Sequence, residues 1–366
     1  VKVSSETPSA AEIYAFLSVY TRYDNTFAYS NALTYRLDYT SARVAAQQAA
    51  KAGQVQKTLS DGTQILAQED VAIDGHGTVQ VGVIAFSDNS GDGLWDPREY
   101  IIYVPEGFEG KELPVLMIYP GNTQTDSIFL DSTLWWQIAE DEGIVLAFVC
   151  ETYNASPCSV SHADSDKFYH SLITILEEQI DGSYADLDFT RIYGSGQSAG
   201  SMATQGFVRT NPEFYAAAAS TSGLAVPDGT SQLPEGAGGA MPDFVITGQS
   251  DLDNLMPDLW GSEMANEWIT YLFDVNNMPD AQIGTADDEH EFINDRTKVY
   301  TWENSDGVPM VKYGYTLLRA HNCSPYEMPI LWDFMEHFSF EKAEDGTITR
   351  YYSASAFERD DAVILK

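Results

Sequence analysis

The chain has 366 residues, of which 44% are hydrophobic and 12% aromatic. That is enough apolar material for a substantial core and too many aromatics for a disordered chain. Nineteen Lys and Arg stand against 55 Asp and Glu, a formal net charge of −36, which argues against a nucleic-acid binder and against docking on anionic membranes, since both need basic patches.

Residues 1–76 read as an N-terminal extension packed on the main domain. Ile13, Phe16, Leu17 and Tyr20 give Ala10 to Tyr23 a helical spacing, and the Ala- and Gln-rich stretch Ala42 to Ala52 reads as a second helix. The start, Val1 to Glu6, shows no secretory signal and reads as a mature start. The acidity suits an extracellular or high-salt setting, so a secreted or cell-surface protein is expected. No run of about 18 apolar residues occurs, so membrane insertion is not expected.

From residue 77 to 366 strands alternate with helices. Val79 to Phe86 and Tyr100 to Val104 are β-branched and aromatic strands. Between them, Asp88 to Glu99 matches a twelve-residue calcium loop. Oxygen ligands fall at Asp88, Ser90, Asp92, Asp96 and Glu99, Gly93 takes the sharp-turn place, and Leu94 offers its carbonyl. The two readings are a structural Ca²⁺ and an acidic hairpin turn. Pro114 to Tyr119 is a continuous apolar run, a buried parallel strand. A helix over Ser127 to Glu142, stopped by Gly143, leads to a second such strand at Ile144 to Val149. Cys150 and Cys158 then bracket a short turn, either as a disulfide in an exported protein or as thiols; Cys323 is the third cysteine. A helix over Lys167 to Ile180 precedes the strand Phe189 to Tyr193, followed by a helix over Ala199 to Arg209. Strands over Tyr215 to Ser220, Phe244 to Thr247 and Tyr313 to Arg319, with a closing helix over Ile330 to Phe338, complete the pattern. Such alternation implies a mostly parallel sheet with helices on both faces.

The chemistry-bearing motif is Gly196-Gln197-Ser198-Ala199-Gly200. It lies between a strand and a small-residue helix, where a tight turn lifts the serine oxygen above the sheet edge and the glycines let the turn close. That context defines a nucleophile elbow of the α/β-hydrolase fold with Ser198 as nucleophile. In this fold the acid and then the histidine follow the serine. Asp251 ends the strand at Phe244 to Thr247, with Asp253 and Asp258 as rivals. His321 follows directly on the strand ending at Arg319-Ala320. His290 lies in an acidic run and His337 on a helical pattern, so His321 is the expected base. Backbone N–H groups of Ala199 and Asn122 are the expected oxyanion donors. Trp260 and Trp268 fall where either could line a site. Gly236 to Gly239 opens no helix and is no phosphate cradle. No cofactor is expected for catalysis.

From about Tyr100 to Phe338 the chain resembles the polyhydroxybutyrate-depolymerase and feruloyl-esterase group of α/β-hydrolases. The resemblance is carried by Leu113 to Thr125, by Arg191 to Gly223 with Pro212-Glu213-Phe214-Tyr215, and by Gly248-Gln249-Ser250-Asp251 with Ala320-His321. Where the group has His-Gly-Cys this chain has Pro120-Gly121-Asn122. The resemblance implies hydrolysis of a small-molecule or polymeric carboxylic ester through an acyl-enzyme, with Ser198, Asp251 and His321 as triad. A serine peptidase of the same fold and a non-catalytic binding protein retaining it are the alternatives.

Overall fold

In a computed structural model, residues 37–87, 96–121, 124, 126–149, 162–226, 240–251, 262–285, 292–356 and 361–365 are described. Their centre is a twelve-stranded sheet in the order β1-β2-β3-β4-β6-β5-β7-β8-β9-β12-β11-β10. β1 (Lys57–Thr58), β2 (Gln64–Ile73), β3 (Gly77–Ser87) and β4 (Asp96–Pro105) form an antiparallel meander, and β4 pairs antiparallel with β6 (Val145–Val149). From β6 the sheet is parallel through β5 (Glu112–Tyr119), β7 (Asp186–Gly196), β8 (Ala217–Thr221), β9 (Asp243–Gly248) and β12 (Pro309–Thr316). β11 (Thr297–Glu303) and β10 (Phe292–Ile293) close that side antiparallel.

The parallel half follows from composition. Val115, Leu116, Met117 and Ile118 of β5 are all fully buried, so this strand has apolar neighbours on both faces, which requires helices on both. The crossovers between parallel strands supply them. β5 leads through α2 (Asp126–Thr133) and α3 (Trp135–Glu142) to β6 on one side. The chain then returns across β5 through α4 (His162–Ile175) to β7, and continues in the new direction through α5 (Ala199–Thr210) and α6 (Glu263–Val275). Reversal of direction at β5 and β7 opens a crevice at their C-terminal ends, the place where open α/β sheets bind ligands.

Several local expectations are corrected. The helix expected over Ser127 to Glu142 is two helices, because Leu134 adopts a left-handed conformation, φ 58°. Gly143, φ 76°, ends α3 with its N–H on the Ala139 carbonyl. The helix expected to reach Ile180 leaves the α-helical pattern after Ile175 and continues as a π-helical turn, Leu176–Ile180. The strand expected to reach Arg319 ends at Thr316, and Leu318 (φ 58°) turns the chain. The last helix, α7 (Met328–Met335), stops before Phe338, which begins β13 (Phe338–Lys342) of a separate antiparallel sheet with β14 (Ile348–Tyr352) and β15 (Val363–Leu365). This sheet is tied to the core by the Tyr193 hydroxyl, which donates to the Phe338 carbonyl at 2.7 Å. α1 (Thr40–Ala50) packs on β2 and β3, and Gly77, where the main domain is expected to begin, is the first residue of β3 and pairs with Ile73 of β2. The helix expected over residues 10–23 lies outside the described residues.

Candidate active site

Ser198 joins β7 to α5 at φ 56° and ψ −119°, a backbone conformation that costs a side-chain-bearing residue about 1–3 kcal/mol. The surroundings enforce it. A Cβ built on Gly196 would lie 2.4 Å from the Gly200 carbonyl oxygen, and one on Gly200 only 2.0 Å from that of Tyr119. The glycines therefore let α5 close onto the ends of β5 and β7. The Ser198 N–H donates to the Thr221 carbonyl at 2.9 Å. Deeper in α5, Gln205 donates to the Ser201 hydroxyl and the Gly223 carbonyl and accepts from the Ala225 N–H and the Trp268 indole. Trp268, which could have lined a site, is thus fully buried core; Trp260 lies outside the described residues.

The three residues selected by chain order converge. His321 Nε2 is 2.8 Å from the Ser198 oxygen, and its Nδ1 is 2.7 Å from Asp251 Oδ1. The second Asp251 oxygen accepts from the Ser222 hydroxyl at 2.7 Å and from the Gly248 N–H at 3.0 Å. Arg319 stands 3.7 Å away. Burial pushes the Asp251 carboxyl up, but the hydrogen bond from His321, the Arg319 charge and the Gly248 and Ser222 donors outweigh it and hold the carboxyl below its usual range. Asp251 therefore stays a carboxylate out of water, while Ser198 and His321 keep one side open to solvent. A carboxylate fixed on Nδ1 sets the tautomer that presents a bare Nε2 to the serine.

Ala199, one expected oxyanion donor, is the first residue of α5, where amides lack partners within the helix. Asn122, the other, lies outside the described residues, as do Asp253, Asp258 and His290. The turn before Asn122 is set by Gln124, whose side-chain oxygen accepts the Gly121 N–H at 2.8 Å. A Cβ on Gly121 would meet the Gln197 side-chain oxygen at 2.2 Å and the Gln197 carbonyl oxygen at 3.1 Å, so the glycine lets this turn abut the elbow with the Gln197 side chain in place. His337 is not in a helix; it follows α7, with Nδ1 2.7 Å from the Ser353 carbonyl.

Of the expected calcium ligands, Asp88, Ser90, Asp92 and Leu94 lie outside the described residues, and Asp96 begins β4. Glu99 is engaged by α1: its oxygens accept from Arg43 at 2.7 Å and Gln47 at 3.0 Å. Cys150 and Cys158 are likewise outside the described residues, and Cys323 is a buried free thiol. Among the described residues, Asp333, Glu336 and His337 are a constellation with metal-ligand spacing, their ligand atoms within 4.8 Å of one another. A cleft of about 610 Å³ lined by Val104, Phe108, Leu113 and Asp186 lies where β5 and β7 begin, at the sheet edge opposite Ser198. Among the described residues no helix is long and apolar enough to cross a membrane.

Sequence reasoning missed Ser222 and Arg319. Each comes from a different strand end, and neither belongs to a motif.

No family's sequence profile matches the chain, and no curated protein is similar to it in sequence. Similarity appears in three dimensions. An acetyl xylan esterase from Aspergillus awamori superposes with a TM-score of 0.51 at 15% identity, over 74% of this chain and 98% of that one. A glucuronoyl esterase from Solibacter usitatus does so with a TM-score of 0.51 at 13% identity, over 80% and 91%. With the strand order and the elbow, this decides the architecture. The chain has the α/β-hydrolase fold. Neither of these two structures is a polyhydroxybutyrate depolymerase or a feruloyl esterase by name, so they carry the resemblance no further than the fold.

Proposed function

We propose that the protein is a serine carboxylic-ester hydrolase working through an acyl-enzyme. The observation that carries this reading is the unbroken hydrogen-bonded chain from the Ser198 oxygen through His321 to the buried Asp251 carboxylate. Ser198 Oγ attacks the acyl carbon as its proton passes to His321 Nε2. The tetrahedral oxyanion is received by the N–H groups of Ala199 and Asn122. Its collapse breaks the ester bond, and the leaving alcohol takes the proton from His321. A water molecule then gives a proton to His321 and attacks the acyl-enzyme, releasing the acid and returning the proton to Ser198. Asp251 remains ionised throughout and stabilises the imidazolium.

The substrate class proposed is an ester of a carbohydrate or a polyester. Support comes from the motif blocks shared with the depolymerase and feruloyl-esterase group, and from the names borne by the two superposable structures.

The test is a panel of p-nitrophenyl esters, hydroxycinnamate esters, acetylated xylan, a glucuronate ester, polyester film and aminoacyl amides. Wild type and Ser198→Ala are compared on each. Hydrolysis of at least one ester, reduced 10³-fold or more in the variant, is expected. Equal turnover by both proteins refutes the assignment, and cleavage of amides without esters replaces it with a peptidase.

A further inference from the structure

Behind Asp251 lies a second, wholly buried pair of charges, Arg319 and Glu327, 2.6 Å apart. Taking two charges out of water costs several kcal/mol per ion, and an apolar pair of similar size is often as stable or more so. The pair is thus weak evidence for stability, and its geometry points toward the site. One Arg319 nitrogen, Nη1, donates to the Ser222 hydroxyl at 2.6 Å, to the Ala320 carbonyl at 3.2 Å and to the Asn322 carbonyl. Ala320 and Asn322 flank His321, so the guanidinium grips the backbone on both sides of the imidazole. Ser222 accepts this bond from Arg319 on its oxygen and gives its own proton to Asp251. The other nitrogen, Nη2, donates to the Ile246 carbonyl of β9 at 2.9 Å, tying the loop to the strand that presents Asp251. A planar fork is required for this; a lysine offers one point of attachment.

Glu327 is held in turn. One oxygen accepts from the Thr316 hydroxyl at 2.5 Å and the other from the Ser324 N–H at 3.1 Å. Burial raises its carboxyl above the usual range against the opposing pull of Arg319, Thr316 and Ser324. The neighbouring Cys323 thiol is pushed up to about 12, chiefly by burial and then by Glu327, so it stays neutral and adds no further anion to compete with Asp251 for Arg319.

We propose that Arg319, clamped by Glu327, is the positioning residue that holds Asp251 and the His321 loop in register for proton transfer from Ser198. It touches no substrate and acts through Ser222 and through the backbone on either side of His321. The inference rests on the ester-hydrolase reading above and assigns a role that reading does not contain.

The experiment compares Arg319→Gln, Arg319→Lys and Glu327→Gln with wild type and with Arg209→Gln. Arg209 belongs to another buried pair, 3.8 Å from Asp243, at the opposite end of β9 and away from the triad. Melting temperature, kcat and KM on p-nitrophenyl acetate, and the downfield proton NMR resonance of the His321 Nδ1–H are measured. Arg319→Gln is expected to lower kcat about 100-fold, the loss that follows a misplacement of about 1 Å, with KM within about threefold and the resonance lost or broadened. Arg319→Lys is expected to recover part of kcat, and Glu327→Gln to fall between. Arg209→Gln is expected to lose stability with kcat intact. If Arg319→Gln does not fold, Arg319→Lys and Glu327→Gln carry the test. Folded Arg319 variants with wild-type kcat and resonance overturn the proposal, as does an equal kcat loss in Arg209→Gln. Activity retained by Ser198→Ala instead refutes the hydrolase reading, which separates the two failures.

Discussion

Replacement of Gly200 by alanine tests the link between close packing and chemistry. The new Cβ would lie 2.0 Å from the Tyr119 carbonyl oxygen and 2.5 Å from that of Pro120. Real Cβ atoms do not approach within 3.0 Å, so the groups must separate by at least about 1 Å, the difference 3.0 − 2.0. Both obstacles are backbone, so no side chain can rotate away. α5 must lift from β5 and carry Ala199 away from the turn at Pro120-Gly121, which separates the two halves of the proposed oxyanion site. Overpacking of this kind costs about 1–3 kcal/mol, and a displacement near 1 Å costs about 100-fold in rate. Initial rates on p-nitrophenyl acetate and urea unfolding would read both, with Gly284→Ala as control. At Gly284 nothing lies within 4 Å of a built Cβ, so that variant should stay within about 0.5 kcal/mol of wild type. A Gly200→Ala protein with kcat within threefold of wild type and an unshifted unfolding midpoint would refute the reasoning.

Asp251→Asn should fold, because the amide keeps an oxygen for the Ser222 and Gly248 donors, yet lose about 10³–10⁴-fold in kcat by favouring the wrong His321 tautomer; a loss under tenfold in steady-state kinetics would contradict the arrangement. Glu336→Gln should stabilise the protein at pH 8 and not at pH 4. Burial, then the charges of Asp333 and Glu142, raise the Glu336 carboxyl from 4.5 to about 7, so its ionisation removes stability as pH rises through that window. Unscreened, that shift is worth about 3 kcal/mol. Because the group is about half exposed, about 1 kcal/mol is expected in urea unfolding at the higher pH, and a variant less stable than wild type at pH 8 would count against it.

The parallel half of the sheet is legible because its strands are apolar on both faces. Pro114 to Tyr119 and Ile144 to Val149 allow no other placement in a chain of this composition. The antiparallel meander is less so: β2 alternates only along its second half, between half-buried and exposed positions, and its membership of the sheet depends on pairing with β3 rather than on its own pattern. The break at Leu134 is illegible for a related reason. Leucine at φ 58° runs against local preference, and the chain adopts it because Leu130, Trp135 and Ala139 all reach the core only if the helix is cut and redirected. Phe338 fits the helical spacing of α7 as well as it fits the first position of β13, and the distinction comes from partners at Tyr352.

The triad is legible for a topological reason. β7, β9 and β12 run parallel, so the residues after them emerge at one edge whatever intervenes, and the order Ser198, Asp251, His321 can be read along the chain. What that reasoning cannot reach is the layer beneath. Ser222 follows β8, Arg319 follows β12 and Glu327 precedes α7; only the adjacency of β8, β9 and β12 brings them together, and no spacing encodes it. In a chain of net charge −36, an isolated arginine reads as one more surface cation and an isolated glutamate as one of many. The informative feature is that both are buried. Of the 19 basic residues, Arg319 is one whose charge is withdrawn from water and spent on the Asp251 loop. A carboxylate that must stay ionised out of water needs a cation or several donors, and a buried arginine two residues before the chain-order histidine supplies the cation beside the donors of Ser222 and Gly248.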